Sequence, residues 1–303
     1  MDIKTSDGNI NKNNIDSEKG AFERFESEVK NTIFGVVFML LKDDEISIYT
    51  SFIVSVIQFL QMLCFQYHET VQDLWASQKI TDGINEAVGY LRFAPYFEKT
   101  NYDVYIIIFY VLIAIFFFVL IDVFYVSYAY TKKKYAFSWP VTALRIIVWL
   151  FTTVLYLPIV DYFFSVVNCV ENNHGTLVHY YFTEVQCWSN IHILHGIIGI
   201  IVAVLFTAFC LTAALTYFEC RSTSNDPTAR VNARANALFI LYEFIMTICF
   251  AFMTESQYQY VLIALITIGS IILFMKFHFN SPYYRSEEHT SELQSLTNLV
   301  CRL

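Results

Sequence analysis

The feature that most constrains this chain is a long stretch without charged residues. Residues 191–218 contain no Asp, Glu, Lys or Arg, and Arg221, Arg230 and Arg234 follow directly after them. An apolar helix of about 20 residues crosses the hydrocarbon core of a bilayer, whereas a helix on a soluble protein keeps one polar face. The stretch therefore predicts a transmembrane helix, and the basic residues after it predict that its C-terminal end is cytoplasmic.

The overall composition agrees with a membrane protein. Hydrophobic residues make up 56% of the chain and charged residues 15%, with a mean hydropathy of +0.47, whereas a soluble domain carries about 25% charged residues. The seven cysteines show no CxxC or CxxH spacing, which argues against a zinc or redox motif. We expect the lipid bilayer to be the main partner, with no nucleic acid and no cofactor.

The remaining apolar stretches predict an all-α protein, a polytopic bundle of about six transmembrane helices. Residues 1–20 are polar and predict a disordered cytoplasmic tail. Residues 21–45 alternate charged and apolar positions at helical spacing and predict an amphipathic helix in the membrane interface. Residues 46–279 form the transmembrane domain, and residues 280–303 form a cytoplasmic stub. The six predicted spans are 48–67, 104–128, 141–167, 191–218, 237–253 and 260–276.

The basic residues of the short loops predict one orientation. Lys132, Lys133 and Lys134 lie between the second and third spans, and the three arginines lie between the fourth and fifth. The loops at 168–189 and 254–258 contain no Lys or Arg. Because short cytoplasmic loops collect positive charge, we expect both termini in the cytoplasm and these two loops outside, in the plasma membrane.

Two cysteines stand at the two ends of the third loop. Cys169 follows the third span and Cys187 precedes the fourth, with no Lys or Arg between them. Disulfides form in oxidising compartments such as the cell exterior. If the loop is extracellular, the two thiols are expected to form a disulfide; two unpaired thiols are the alternative.

Three acids and one arginine fall within the predicted spans. Asp122 and Arg145 lie near the inner ends of adjacent spans and are candidates for an ion pair, Asp161 lies beside Pro158, and Glu243 lies in the fifth span. Ionisable groups inside a membrane are costly, so each is a functional hypothesis. The alternative is that these groups lie in the headgroup zone, where water solvates them.

Other motifs favour packing over chemistry. His192 and His195 are three residues apart, which permits a metal or haem site, but no further histidine falls inside a predicted span. A role in helix capping or at the outer interface is the preferred interpretation. Gly196 and Gly199 begin a face of small residues that allows close helix contact. No GxGD, HExxH or Ser/His arrangement occurs, so we expect no enzyme.

The C-terminal residues have an unusual origin. The peptide RSEEHTSELQS, which begins at Arg285, matches the translation of a sequencing adapter in one reading frame. We therefore expect residues 285–303 to be non-native and the natural protein to continue beyond Tyr284.

Several spaced segments carry a family resemblance. The segments CWSNIHILHGIIGI, LTYFECRSTSNDPTAR and VNARANALFILYEF, with the earlier NTIFGVVFMLLK and YLRFAPY, resemble the tiny macrocysts family of large multi-pass proteins. The resemblance covers roughly residues 30–284. It implies an N-terminal membrane region followed by a long cytoplasmic part that often includes a PAS sensory domain, with a regulatory role.

Two functions are consistent with these features. The first is a membrane-anchoring or sensory region of a larger signalling protein, which acts alone or as a homo-oligomer and passes a signal to downstream cytoplasmic domains. The second is a channel or transporter subunit, for which the intramembrane acids and the Pro158 kink are the motive. The fourth span lacks the arginine ladder of a voltage sensor.

Overall fold

The structure is a computed structural model that describes residues 48–72, 74, 89, 100–131, 139–172, 175–216, 234–253 and 258–280. The predicted tail at 1–20, the predicted interfacial helix at 21–45, and residues 281–303 lie outside this part of the chain. So do Arg221, Arg230 and the three lysines, Lys132, Lys133 and Lys134.

Each of the six predicted spans coincides with helical structure. The strongly apolar segments form helices because a helix satisfies its own backbone hydrogen bonds within a single segment. The elements are α1 Ile48–Gln66, α2 Glu69–Gln72, α3 Tyr102–Thr131, α4 Trp139–Thr153, α5 Tyr156–Ser165, β1 Cys169–Glu171, β2 Leu177–His179, α6 Asn190–Thr216, α7 Arg234–Phe252 and α8 Gln259–Asn280.

The number of membrane-spanning helices is smaller than the sequence predicted. Within the described residues, α3, α6 and α8 are long and apolar enough to cross a membrane, and the bent pair α4 and α5 makes a fourth if it counts as one span. The apolar parts of α1 and α7, Phe52–Gln66 and Asn236–Phe252, are shorter. By length and composition the structure thus supports three or four spans, and six are not supported.

The all-α prediction is wrong in one place. Between α5 and α6 the chain forms a two-stranded antiparallel hairpin, in which Cys169 pairs with His179 and Glu171 with Leu177. Val178 also bridges to Gln186, which extends the pairing toward α6. Apolar periodicity over long windows does not detect such short strands, because each contributes only three residues.

The third predicted span is divided by a sharp bend. α4 and α5 meet at an angle of 67°, with the break between Thr153 and Tyr156. Pro158 lies in the first turn of α5 and has no N–H to bond the carbonyl four residues earlier, at Val154. Gln61 of α1 donates its Nε2–H to that carbonyl at 2.6 Å. A side chain from another helix therefore satisfies the group that the proline leaves open.

α5 lies at the centre of the bundle. Its side chains are buried except for Asp161, which is partly exposed, and it packs against α6 and α7. Gly199 of α6 permits this approach, since a Cβ there would lie 2.8 Å from the Phe163 carbonyl oxygen. Small residues on this side of α6 (Gly196, Gly199, Ala203, Ala214) are buried, whereas Ala208 is exposed.

The outer surface of the bundle is apolar. On α3, Phe116 is 2% exposed and faces the core, whereas Phe118 and Phe124 are 69% and 70% exposed. A soluble protein rarely leaves such a large continuous apolar surface in water. The surface is therefore suited to contact with lipid tails.

Candidate functional site

Three helix ends converge at one end of the bundle, beneath the β-hairpin. The first turns of α3 and α6 lie beside the last turn of α5, as contacts of Tyr105 with Ser165 and of Tyr110 with His195 show. α3 and α6 thus run in the same direction, and the bent pair α4–α5 returns between them. Polar side chains that are far apart in sequence meet here, and we call this group the hairpin-side cluster (Tyr102, Tyr105, Tyr162, Ser165, His179, His192).

A disulfide attaches the hairpin to α6. Cys169 of β1 and Cys187, just before α6, are bonded to each other. The Cys187 N–H donates to the Leu177 carbonyl at 2.9 Å, and the Tyr180 N–H donates to the Asn168 carbonyl at 3.0 Å. Covalent and backbone bonds together hold β2 over the ends of the helices.

The floor of the cluster is a closed set of hydrogen bonds between α3 and α5. The Tyr162 hydroxyl donates to the Tyr105 carbonyl at 2.7 Å. The Ser165 hydroxyl donates to the Tyr162 carbonyl at 2.7 Å, so the Tyr105 hydroxyl donates to Ser165 Oγ. Both tyrosines are fully buried, so these bonds fix the spacing of the two helices in an environment without water to replace them.

His179 of the hairpin is completely buried in this cluster. Its ring centroid lies 5.7 Å from that of Tyr105, 5.2 Å from that of Phe182 and 5.9 Å from that of His192. Its Nδ1 accepts the Tyr181 N–H at 3.1 Å. Burial lowers the pKa of His179 to about 3, and the His192 ring acts in the same direction, against the nearby Ser165 backbone. The ring is therefore neutral at physiological pH, with its proton on Nε2.

His192 occupies a similar position at the beginning of α6. Its Nδ1 accepts the Trp188 N–H at 3.3 Å, which binds the ring to the backbone just before the helix. In the neutral ring the proton then lies on Nε2. The Nε2 atoms of both His179 and His192 are buried and form no hydrogen bond of standard geometry with described residues. The backbone of Ser165 nevertheless acts as a hydrogen-bond partner of the His179 ring, and that of Val166 as a partner of the His192 ring.

A groove opens beside this cluster, between the first turns of α3 and α6. It has a volume of about 530 Å³. Polar groups line one part (Tyr102, Asp103, Ser189, His192, His195), and branched apolar side chains line the rest (Ile106, Ile107, Val185, Ile191). His195 Nδ1 is held by the Tyr110 hydroxyl at 2.8 Å. The Tyr102 hydroxyl is buried without a hydrogen-bond partner in the described residues.

The predicted intramembrane acids lie on three different helices, Asp122 on α3, Asp161 on α5 and Glu243 on α7. Glu243 of α7 is 2% exposed, and its Oε1 has no hydrogen-bond partner in the described part of the chain. It lies near Tyr156 of α5 and Cys210 of α6. Asp161 is partly exposed on α5. Glu243 is therefore a deeply buried group, and Asp161 is not.

Asp122 and Arg145 are both partly buried, on α3 and α4 respectively, and their pairing stays a prediction. Arg234 begins α7, and the other predicted cytoplasmic markers lie outside the described part. No group of three or more His, Cys, Asp or Glu side chains suited to a metal ion occurs in the described part.

His179 was not predicted as part of a site. It lies in a loop between spans, and the sequence shows no spacing that connects it with His192. The alternation around LVHYYF in the printed sequence is the available signal, since it indicates a short strand with His179 and Leu177 on one face. The neighbourhood of His179 and His192 depends on the hairpin and on the bond between Cys169 and Cys187.

Comparisons with known proteins find distant relatives. No family model and no solved structure matches the chain. Tiny macrocysts protein C of Dictyostelium discoideum is 23% identical over 266 residues, which cover 84% of this chain and 18% of that protein. Tiny macrocysts protein B of the same organism is 22% identical over 264 residues, which cover 82% of this chain and 18% of that protein. The chain is thus a distant relative of these two proteins and spans about 18% of their length.

Proposed function

We propose that this chain is the membrane-embedded sensory region of a larger regulatory protein, not an enzyme. The observation that carries the proposal is the hairpin-side cluster, a buried polar site built at one end of an otherwise apolar bundle and covered by a disulfide-linked hairpin. A purely structural membrane anchor has no need for a cluster of buried polar side chains, which are costly to remove from water. The relatives are more than five times as long as the matched region, since it covers 18% of each, which leaves room for downstream domains.

The proposed topology places the cluster outside the cell. The bent pair α4–α5 crosses the membrane once, so the loops after α3 and after α6 both lie in the cytoplasm with their Lys and Arg residues. The apolar parts of α1 and α7 are shorter than a span, so the proposed topology concerns α3, the bent pair and α6, with the plasma membrane as the location.

The signal would pass inward through helices that the cluster holds together. α3, α5 and α6 contribute to the cluster, and α3 and α6, with 30 and 27 residues, extend from it toward the opposite end of the bundle. Downstream cytoplasmic domains, such as the PAS domain of the resembled family, or a second copy of this chain would receive the change. Rigid helices with two discrete packings are the physical basis of such coupling.

A distance measurement tests the relay. Spin labels at Tyr128→Cys on α3 and Leu215→Cys on α6 report the separation of the inner helix ends by pulsed electron resonance, since both positions are exposed. Substitution of His179 by Asn in the cluster is expected to shift or broaden this distance distribution. Substitution of exposed Thr176 in the hairpin is the matched control and is expected to leave it unchanged. Identical distributions for both variants would contradict a sensory role.

A channel or transporter is the second candidate. The observation that favours it is Glu243, a carboxyl group buried among α5, α6 and α7 beside Tyr156 and Cys210. An intramembrane acid of this kind marks proton or ion pathways in many transporters. Flux of protons or cations into liposomes that contain the purified chain, lost in Glu243→Gln and in Asp161→Asn, would support it. Flux that survives both substitutions would remove the motive for this candidate.

A further inference from the structure

We propose that the hairpin-side cluster is an acid-sensitive latch, in which His179 and His192 bind protons when the hairpin lifts from the helix ends. The inference rests on the proposed sensory function and deepens it, because it names the stimulus as a fall in pH on the hairpin side of the membrane. The two histidines come from different elements, the hairpin and α6, and their ring centroids lie 5.9 Å apart. Both rings meet the same structure, the C-terminal end of α5.

Each ring connects its own element to this end of α5. The His179 ring has the Ser165 backbone as a hydrogen-bond partner, and the His192 ring has the Val166 backbone. Ser165 is the last residue of α5 and Val166 is its C-cap. Because the neutral rings carry their proton on Nε2, these backbone partners are carbonyl groups. The hairpin and the first turn of α6 are thus attached to α5 at two consecutive residues.

The other nitrogen of each ring is an acceptor in this arrangement. His179 Nδ1 accepts the Tyr181 N–H at 3.1 Å, and His192 Nδ1 accepts the Trp188 N–H at 3.3 Å. A proton that binds to Nδ1 turns the acceptor into a donor. Two N–H groups then face each other, and the bond from the ring to its backbone is lost. The closed latch is therefore compatible only with two neutral rings.

The groups packed against His179 in the described part of the chain are uncharged at neutral pH. They come from α3, from the loop after the hairpin and from α6 (Tyr102, Tyr105, Tyr181, Phe182, His192). α5 adds the Ser165 backbone and Tyr162, whose ring packs on Tyr105. Asp103, which lines the groove beside His192, is exposed to water. Burial lowers the pKa of His179 to about 3 in the closed state, whereas an exposed ring titrates near 6.5.

Opening of the hairpin therefore takes up protons. A histidine that is neutral in the closed state and titrates normally in the open state multiplies the open-to-closed ratio by about ten for each pH unit below about 6.5. Two such histidines multiply it by up to about a hundred. The disulfide between Cys169 and Cys187 keeps the lifted hairpin attached to the beginning of α6, so the hairpin can close again when the pH rises.

Spin-label distances on the hairpin side test the latch. The full chain, with the cysteines outside the disulfide replaced by alanine, carries labels at two exposed positions, Thr176→Cys in the hairpin and Val104→Cys on α3. The purified protein in phosphatidylcholine nanodiscs is measured by pulsed electron resonance at pH 7, 6 and 5, and circular dichroism monitors the helices. We expect a longer distance to gain population as the pH falls, while the helical signal stays constant.

Substitution by asparagine separates the contributions of the two histidines. In His179→Asn and in His192→Asn the amide oxygen can still accept the backbone N–H, but the side chain no longer titrates. We expect the pH dependence of the open-to-closed ratio to weaken by about ten-fold per pH unit in each single variant and to disappear in the double variant. If the double variant does not fold, the two single variants still provide the test.

Two other titratable residues on the same elements provide matched controls. His195 of α6 bonds Tyr110 and not the hairpin, and Glu171 of β1 is exposed. We expect His195→Asn and Glu171→Gln to keep the pH dependence of the wild type. Loss of this dependence in either control, with no change in His179→Asn and His192→Asn, would assign the response to another group and overturn the latch.

The remaining outcomes separate the latch from the sensory function. A wild-type distance that stays constant from pH 7 to 5, or one that changes equally in wild type and in both histidine variants, would overturn the proposal. The labels report the hairpin and not the inner helix ends. A latch that fails this test therefore leaves the sensory role to the labels on the inner ends of α3 and α6. A latch that opens while those inner distances stay fixed would stand, and the relay would be contradicted.

Discussion

At the scale of single residues, the bundle contains polar side chains in two different situations. Tyr105, Tyr162 and Ser165 satisfy one another completely and stabilise the contact of α3 with α5. His179 and Glu243 instead carry buried atoms without hydrogen-bond partners in the described residues. Fully satisfied groups contribute to stability, whereas unsatisfied groups reduce it. His179 and Glu243 therefore reduce the stability of the fold, and substitution of either residue tests whether this loss of stability serves a function.

Acid should destabilise the protein through His179. Its folded pKa of about 3 lies below the unfolded value of about 6.5. Between these values the unfolded state binds one more proton, so stability falls as pH decreases from about 6.5 toward 3, by about 1.4 kcal/mol per pH unit. Thermal unfolding of the purified protein at pH 7, 6 and 5 measures this slope.

The control for the pH dependence of stability is the variant His179→Asn, whose side-chain amide oxygen can still accept the Tyr181 N–H. We expect a weaker pH dependence than in wild type. His192, whose ring centroid lies 5.9 Å from that of His179, is the other histidine of the cluster. An unchanged slope in His179→Asn would show that His179 is accessible to protons in the folded state.

Substitution of Glu243 by Gln should preserve or increase stability. The side chain is 2% exposed, and burial of an ion without a counter-ion is costly; Gln keeps the shape and removes the charge. Glu243→Lys should prevent folding, because it places a new ion in the same position. The melting temperature in detergent measures both, and exposed Glu184→Gln is the control. A lower melting temperature for Glu243→Gln alone would indicate an ionised, paired carboxylate.

At the scale of elements, the bent pair and the hairpin determine how the helices are arranged. The bend occurs where Pro158 removes a backbone donor, and Gln61 from α1 supplies the replacement. The hairpin is short, with three residues in each strand, and a two-stranded hairpin alone is marginally stable. Its disulfide and its packing over the helix ends are therefore necessary for its position.

Loss of the Gln61 side chain should destabilise the bend. In Gln61→Leu the Val154 carbonyl has no donor, which we expect to cost about 1–3 kcal/mol. Gln58→Leu on the same helix is the control, because Gln58 is only partly buried. Pro158→Ala restores an N–H that can reach Val154, so the double variant should lose less stability than Gln61→Leu alone. Additive effects in this double-mutant cycle would exclude the link between Gln61 and the proline.

Removal of the disulfide should loosen the hairpin. The two cysteines are 18 residues apart, and closure of a loop of this size contributes about 3 kcal/mol. Cys169→Ser with Cys187→Ser is expected to lower the melting temperature, and reduction of wild type should have the same effect. Reduction of the double variant is the control and should change nothing. Thiol labelling of unreduced wild type at Cys169 or Cys187 would contradict the bond.

At the scale of the whole molecule, the exposed apolar surface and the distribution of charge both bear on how the protein is oriented in a membrane. The helices leave large apolar side chains on the outside, so lipid is the solvent that suits them. The hairpin lies at the N-terminal ends of α3 and α6, whereas the basic residues follow the C-terminal ends of these two helices in the sequence. Orientation is then a single choice between two possibilities.

Labelling of intact cells should distinguish the two orientations. Thr176→Cys in the hairpin and Lys133→Cys after α3 are treated with a membrane-impermeant maleimide. We expect Thr176→Cys to react in intact cells and Lys133→Cys to react only after permeabilisation, because positive loops remain in the cytoplasm. The chain without added cysteines is the control. Reaction of Lys133→Cys in intact cells would reverse the proposed topology.

The sequence by itself determined that the chain is helical and apolar, because hydropathy over long windows is a local property that survives in any packing. Each of the six predicted segments is helical, and the relatives are those that the resemblance indicated at the family level. Within one segment the sequence also located the bend, since Pro158 has the same missing N–H in every context.

Only the tertiary structure decided which side chains meet. The strands of the hairpin are too short for a periodic signal, since each has three residues. His179 reaches His192 through the hairpin and its disulfide, and Gln61 reaches Val154 across 93 residues. Such contacts depend on the relative position of whole elements, which no local pattern in the sequence encodes.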